Sequence, residues 1–406
     1  MAGNEPVQKL SQNYVEVGEG GGSSHTVDES EETSRSTTSP RLLPPAALAT
    51  ASQSGSIEEL ARTVSGPDKA ALIRDVSTSF DSLFTWDYEK GRREQLNHLY
   101  EKAKVSQWNA ETDIDWSISG QIDSARDPDN PLNQLGSSQE GPFASLTPAE
   151  RATIGHAGMA WTLSQFMHGE QGALLCTAKI VDSVPWIDAK YYAATQVMDE
   201  ARHVEVYAKY LRDKLEWEFP VNVHLRDLLD TVLSDPRWDF TYLGMQIMVE
   251  GLALAAFGFQ YQFSPDPLLK QITRYVMADE ARHVAFGVIS LKEAYRDLSA
   301  AEVRERQEFC YEAAIRMRDR FLQQEVWETL GMPVKECCEV LLHNPLQLEF
   351  RRLLFSKIVP NLKKLGLLDA GDGWLRQRFG ELGVLEFEAW EDTGAEYERM
   401  QLEAPL

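Results

Sequence analysis

Asp199-Glu200-Ala201-Arg202-His203-Val204 recurs residue for residue as Asp279-Glu280-Ala281-Arg282-His283-Val284, an offset of 80 positions. In each copy the glutamate and the histidine are three residues apart, which on an α-helix stacks them on one face, a turn from each other. Upstream lie two long segments almost free of charge. Residues 152–178 contain only Glu170, and residues 240–265 contain only Glu250. These glutamates are also 80 positions apart, and each precedes its hexapeptide glutamate by 30. Leu163 with Leu243, Ala173 with Ala253 and Leu174 with Leu254 agree at the same offset. The chain therefore holds one unit twice: a glutamate in an apolar helix, then a Glu-x-x-His pair.

Thirty residues accommodate the remainder of one helix, a turn, and part of an antiparallel return helix. Glu170 is thus expected to face Glu200 and His203, and Glu250 to face Glu280 and His283. Two such hairpins packed together bring four carboxylates and two imidazoles to one point in a four-helix core, the ligand set of a dinuclear carboxylate-bridged centre. Charge leads to the same place. A helix that is apolar nearly all round is buried, and an isolated carboxylate there must take up a proton or meet a cation. Four carboxylates balance two divalent ions. Oxygen donors with imidazole suit iron or manganese, so two iron ions, or iron with manganese, are the expected cofactor, with dioxygen as co-substrate.

Blander readings are weaker. One Glu-x-x-His alone is usually a solvated helical face, and Arg202 and Arg282 fit a charged surface; two identical copies, each preceded by a lone buried glutamate, do not. The apolar segments are also long enough to span a bilayer, but a carboxylate at the bilayer centre costs roughly 2.5–3.5 kcal/mol. Core helices account for them better.

The chain of 406 residues sets limits as a whole. A net charge of −23 speaks against nucleic acid and against an anionic membrane surface, since both require Lys and Arg. Four cysteines, Cys176, Cys310, Cys337 and Cys338, form no disulfide framework, and with no apolar leader at the start a cytoplasmic location is expected. Residues 1–55, rich in Gly, Ser, Pro and acids, are expected as a disordered tail. A single all-α domain is expected over 56–380, with its metal-binding core at 147–300 and an acidic tail over 381–406. Ser56 with Glu59, Thr147 with Glu150, and Ser299 with Glu302 have capping-box spacing, and Pro148 takes the favoured first helical position. Residues 117–146 show no clear period. His156, His168 and His224 lack the repeat context and are expected to be structural or at the surface.

The repeated motif resembles the ferritin-like di-iron carboxylate superfamily, specifically its oxygen-activating branch. That branch includes multicomponent monooxygenase hydroxylases, arylamine N-oxygenases and the radical-generating small subunit of ribonucleotide reductase. The resemblance implies a ferritin-like four-helix bundle with flanking helices. It also implies Glu170, Glu200, His203, Glu250, Glu280 and His283 as metal ligands, and Asp199 and Asp279 as hydrogen-bond partners of ligand histidines. Three positions bear on the subfamily. Tyr207 stands four residues after His203, where the reductase subunit carries its radical tyrosine. Leu254 stands where the hydroxylases carry threonine. Val276 stands where arylamine N-oxygenases place an extra histidine.

Ala173 and Ala253, one turn after Glu170 and Glu250, are expected to leave a small apolar pocket together with Phe166, Met167, Ile247 and Leu254. The function expected is a di-iron oxygenase that hydroxylates, N-oxygenates or desaturates a small organic substrate. No flavin, nicotinamide or iron–sulfur motif is visible, so electrons are expected from an external donor such as a ferredoxin or reductase; a homodimer is compatible with the sequence. The alternatives are an R2-like radical cofactor protein acting with a partner subunit, for which Tyr207 speaks, and a non-catalytic iron-binding protein.

Overall fold

A computed structural model describes residues 56–63, 75–118 and 138–396. The N-terminal segment 1–55, part of the 117–146 connection, and residues 397–406 lie outside the described residues. No strand occurs among those described.

Helix α1 (Glu94–Val105) lies against the paired helices that follow. Helix α2 (Pro148–Ser183) starts with the expected capping box, Thr147 and Glu150 each bonding the other's backbone N–H, and with Pro148 in the first turn. It stops before Pro185, and α3 (Ile187–Tyr210) returns along it. Helix α4 (Val223–Ser234) is capped by Asn222. The apolar run Trp238–Phe263 forms α5, and α6 (Pro267–Ala294) returns along it after Asp266 caps the backbone N–H of Leu268 and Leu269. Connections of three residues, 184–186 and 264–266, force both hairpins antiparallel. Helix α7 (Ala300–Asp319) carries the Ser299–Glu302 capping box. Ser56 also accepts from the backbone of Glu59, as its spacing suggests.

Helix α5 is long and apolar enough to cross a membrane, yet most of it is buried inside the protein. Its middle, Leu243–Val249, is a π-helical stretch, a local widening that often marks functional sites; Glu250 follows directly. Close packing is obligatory where glycines face neighbours. A Cβ on Gly172 would lie 2.5 Å from Leu229, and one on Gly287 would lie 2.6 Å from the Cβ of Gln246.

The C-terminal part differs from the sequence reading. Residues 385–396, read as acidic tail, pack onto the helical body. Phe387 is buried, and the Asn361 side chain donates to Thr393 Oγ1 and accepts from its backbone N–H. Four of the acids in this stretch meet a cation: Glu386 with Arg352, Glu388 with Arg376, Asp392 with Lys364 and Glu396 with Lys357.

Candidate metal centre

Each hairpin delivers three donors to the interior: Glu170 from α2 with Glu200 and His203 from α3, and Glu250 from α5 with Glu280 and His283 from α6. All six are buried. Their atoms converge in two overlapping groups, Glu170/Glu200/His203/Glu280 and Glu200/Glu250/His283, each within 4.8 Å. Nδ1 of His203 lies 3.3 Å from Glu170, 3.4 Å from Glu200 and 3.1 Å from Glu280. Nδ1 of His283 lies 3.1 Å from Glu200 and 3.5 Å from Glu280. Both imidazoles thus approach Glu200 and Glu280, which sit between the two groups, while Glu170 and Glu250 lie at either end.

Glu200 Oε2, Glu250 Oε2, both carboxylate oxygens of Glu280, and His283 Nδ1 are buried without a hydrogen-bond partner. Buried acceptors without partners are costly, at about 1–3 kcal/mol each. Lone pairs aimed at a common point are what a divalent cation requires, so this donor set fits two such ions.

The outer face of each imidazole is held by the opposite hairpin. His203 Nε2 lies 3.2 Å from Asp279 Oδ2, and His283 Nε2 lies 3.3 Å from Asp199 Oδ2. The two aspartates are joined by the arginines of the hexapeptides. Arg202 bonds Asp199 and reaches Asp279 at 3.3 Å; Arg282 bonds Asp279 and reaches Asp199 at 3.5 Å. These arginines are buried, so the charged-surface reading of the motif does not hold. Trp108 Nε1 donates to Asp279 at 2.7 Å, and Gln107 donates to Asp199 at 3.1 Å. Gln196 donates to Glu200 at 2.9 Å and to Glu250 at 3.0 Å. The sequence reading missed Trp108, Gln107 and Gln196. Only Gln196 left a signal: it stands one turn before Glu200, on the same helical face.

Burial, reinforced by the charge of Glu280, pushes the carboxyls of Glu170 and Glu250 well above their usual range. Burial also acts on Glu200, but the nearby His283 and His203 outweigh it and hold Glu200 low. Burial works against charge on both imidazoles as well, yet the surrounding carboxylates, led by Glu170 at His203 and Glu200 at His283, raise them.

A cavity of about 20 Å³ adjoins Glu170, Glu250 and Glu280, room for about one water. Of the expected pocket residues, Phe166, Ala173 and Ala253 line it, joined by Phe257 and Arg320. Met167 and Ile247 are buried in the packed core instead. Leu254 faces a separate cavity of about 1060 Å³, beside Trp108, Tyr275 and Asp279. Tyr207 is buried against Phe257 and Phe166, with no partner for its hydroxyl. His156, His168 and His224 each use Nε2 on a backbone carbonyl, of Leu215, Phe219 and Leu60 respectively, so they are structural as expected.

Residues 89–366 match the family model described as P-aminobenzoate N-oxygenase AurF. The chain belongs to the AurF family. Membership makes it an oxidoreductase of the ferritin-like di-iron oxygenase superfamily that the repeat resembles. Val276 is buried in this structure. No curated protein matches the chain. Among solved structures it is similar to a variant of R2-like ligand-binding oxidase with an anaerobically reconstituted Mn/Fe cofactor, at 19% identity over 68% of this chain and 94% of that one, TM-score 0.44. It is also similar to R2-like ligand-binding oxidase with an aerobically reconstituted metal cofactor after photoconversion, at 18% identity over 75% and 95%, TM-score 0.40.

Proposed function

We propose that Glu170, Glu200, His203, Glu250, Glu280 and His283 hold two iron ions, or iron with manganese, and that the protein N-oxygenates a small aromatic amine. When bound, the metal pair supplies the electrons and open coordination positions for dioxygen chemistry. The chain's residues do the rest. Asp279 and Asp199 accept the Nε2 proton of His203 and His283, which leaves each Nδ1 lone pair facing the centre. Arg202 and Arg282 bridge the two aspartates and hold them in place. Gln196 orients Glu200 against Glu250. Phe166, Phe257, Ala173 and Ala253 exclude bulk water from the adjoining cavity. Electrons come from a separate donor of the ferredoxin or reductase type.

The observation that carries this reading is the convergence of buried carboxylate and imidazole groups, several of whose atoms have no hydrogen-bond partner, in a chain of this family. It is tested by loading the protein with iron without air, reducing it, and admitting isotopically labelled dioxygen together with p-aminobenzoate and related arylamines. Label in a nitrogen–oxygen bond of the product is expected. A stable tyrosyl radical with no oxidised amine would favour the R2-like alternative at Tyr207.

A further inference from the structure

The outer surface of the first hairpin carries no charge. Between Glu170 and Asp182 the only charged residue of α2 is Lys179, and it is buried. Between Lys190 and Glu205 the charged residues of α3 are Asp199, Glu200 and Arg202, all buried at the site. What faces outward is Leu175 and Ala178 on α2, and Ala194, Met198 and Ala201 on α3. Spacings of three and four keep each set on one face of its helix. Leu175 is 51% and Met198 58% exposed. The helices run antiparallel from the turn at Pro185, and Leu175 and Thr195 are equally far from it, so the two stripes lie side by side. One residue in four of this chain is charged, and an uncharged helical surface over roughly three turns departs from that average.

The patch continues at the tip of the hairpin. An extended segment ahead of α1 is tied to α2 where Ser82 Oγ donates to the Asp182 carboxylate at 2.8 Å and Leu83 N–H donates to the Asp182 carbonyl at 3.0 Å. It is tied to α3 where Gly91 N–H and Arg93 N–H donate to the Asp188 carboxylate at 2.7 and 2.9 Å. Between these anchors Phe84, Trp86 and Tyr88 alternate along the chain, and all three are exposed, Phe84 at 68% and Trp86 at 71%. The rings of Phe84 and Trp86 lie 4.9 Å apart. Apolar groups gathered in this way on a water-soluble surface mark a contact with another molecule.

Charge says which molecule. With a net charge of −23, two copies of the chain repel each other over most of their surface. The hairpin face is where they can meet without burying like charges, and interface cores are depleted of charge in the same way. A partner of opposite charge would gain by meeting the acidic surface and gains nothing here. Area agrees. Phe84 and Trp86 alone offer about 100–180 Å² each. With Leu83, Tyr88, Leu175, Met198 and the alanines, counted on both copies, the covered area reaches the ~1,200 Å² of a stable pair. We propose that the outer face of the α2–α3 hairpin, with the aromatic segment at its tip, binds the same face of a second copy about a two-fold axis. Leucine and methionine side chains of one copy then seat over the alanines of the other, as ridges in grooves. The contact braces from outside the helix whose inner face carries Glu200 and His203. It does not depend on the proposed oxidation.

The test is light scattering and sedimentation of the full-length protein, as wild type, Leu175→Glu, Ala194→Glu and Leu348→Glu. Leu348 is also exposed but stands on the helix Pro345–Leu353, outside the face. The wild type is expected at the mass of two chains, with a melting temperature that rises with protein concentration. Leu175→Glu and Ala194→Glu should each raise the dissociation constant at least about 100-fold, since each puts like charges into a desolvated contact. Leu348→Glu should leave the pair intact. A second arm decides the case if a glutamate variant does not fold. Cysteine placed by Leu175→Cys should react with a maleimide dye at least about tenfold more slowly in concentrated than in dilute protein, while Leu348→Cys reacts alike in both; the four native cysteines are buried. A wild type at the mass of one chain overturns the proposal. So does pairing unaffected by both hairpin glutamates, pairing lost only in Leu348→Glu, or Leu175→Cys labelling that is independent of concentration.

Discussion

Asp279 Oδ2 lies 3.2 Å from Nε2 of His203, so an aspartate of the second hexapeptide fixes the histidine of the first. Asp199 does the same for His283. The crossing ties the two hairpins together at the level of the candidate ligands, and the tautomer of each imidazole depends on the opposite repeat.

Asp279→Asn should therefore damage the donor set built around His203, although Asp279 is not among the six candidate ligands. Loss of such an outer partner typically lowers metal affinity by about 10–100-fold. Competitive metal titration checks this, and Asp199→Asn should behave alike through His283. Unchanged affinity in both variants would show that the crossed bonds do not orient the imidazoles.

Much of this site is legible in the sequence because its chemistry is repeated. The two hexapeptides and the two lone glutamates 80 positions apart identify six donors and the hairpin carrying each triplet. Linear spacing does not say which aspartate meets which histidine, since that depends on how the hairpins dock. Trp108 and Gln107 reach the aspartates from outside the repeat, over sequence separations of 171 and 92, and no local pattern marks them. Gln196 has Val276 as its counterpart 80 positions on, so comparing the repeats conceals it. Met167 and Ile247 were expected at the pocket from their nearness in sequence to the glutamates, but their side chains complete the packed core.

Metal loading should release protons. In the metal-free protein burial and the charge of Glu280 raise Glu170 and Glu250, which hold protons to higher pH than ordinary carboxyls. His203 and His283 are raised by neighbouring carboxylates and hold protons to higher pH than a free imidazole. Protons held on these groups must leave for metal to bind, so affinity should rise with pH across the neutral range. Titrations in two buffers of different ionisation enthalpy measure the release. Absence of proton release, with affinity flat over that range, would contradict the assignment.

Tyr207→Phe deletes a buried hydroxyl that has no partner. The melting temperature should stay level or rise, since an unsatisfied buried hydroxyl costs about 1–3 kcal/mol. Dioxygen-dependent turnover should survive. A tyrosyl radical signal in the wild type that vanishes in the variant, with all activity lost, would instead establish the radical alternative.

Gly287→Ala places a Cβ 2.6 Å from the Cβ of Gln246, where α6 meets the π-helical stretch before Glu250. Overpacking of this kind costs about 1–3 kcal/mol, and a lower denaturation midpoint is expected. A variant as stable as wild type would show that α5 and α6 can move apart freely at this point.

Elemental analysis of carefully loaded protein, compared with Glu250→Ala and His283→Ala, tests the central claim most directly. The wild type should carry close to two iron, or iron plus manganese, ions per chain, and each variant should carry fewer while retaining its helicity. One metal per chain, zinc alone, or full occupancy in both variants would contradict the dimetal centre.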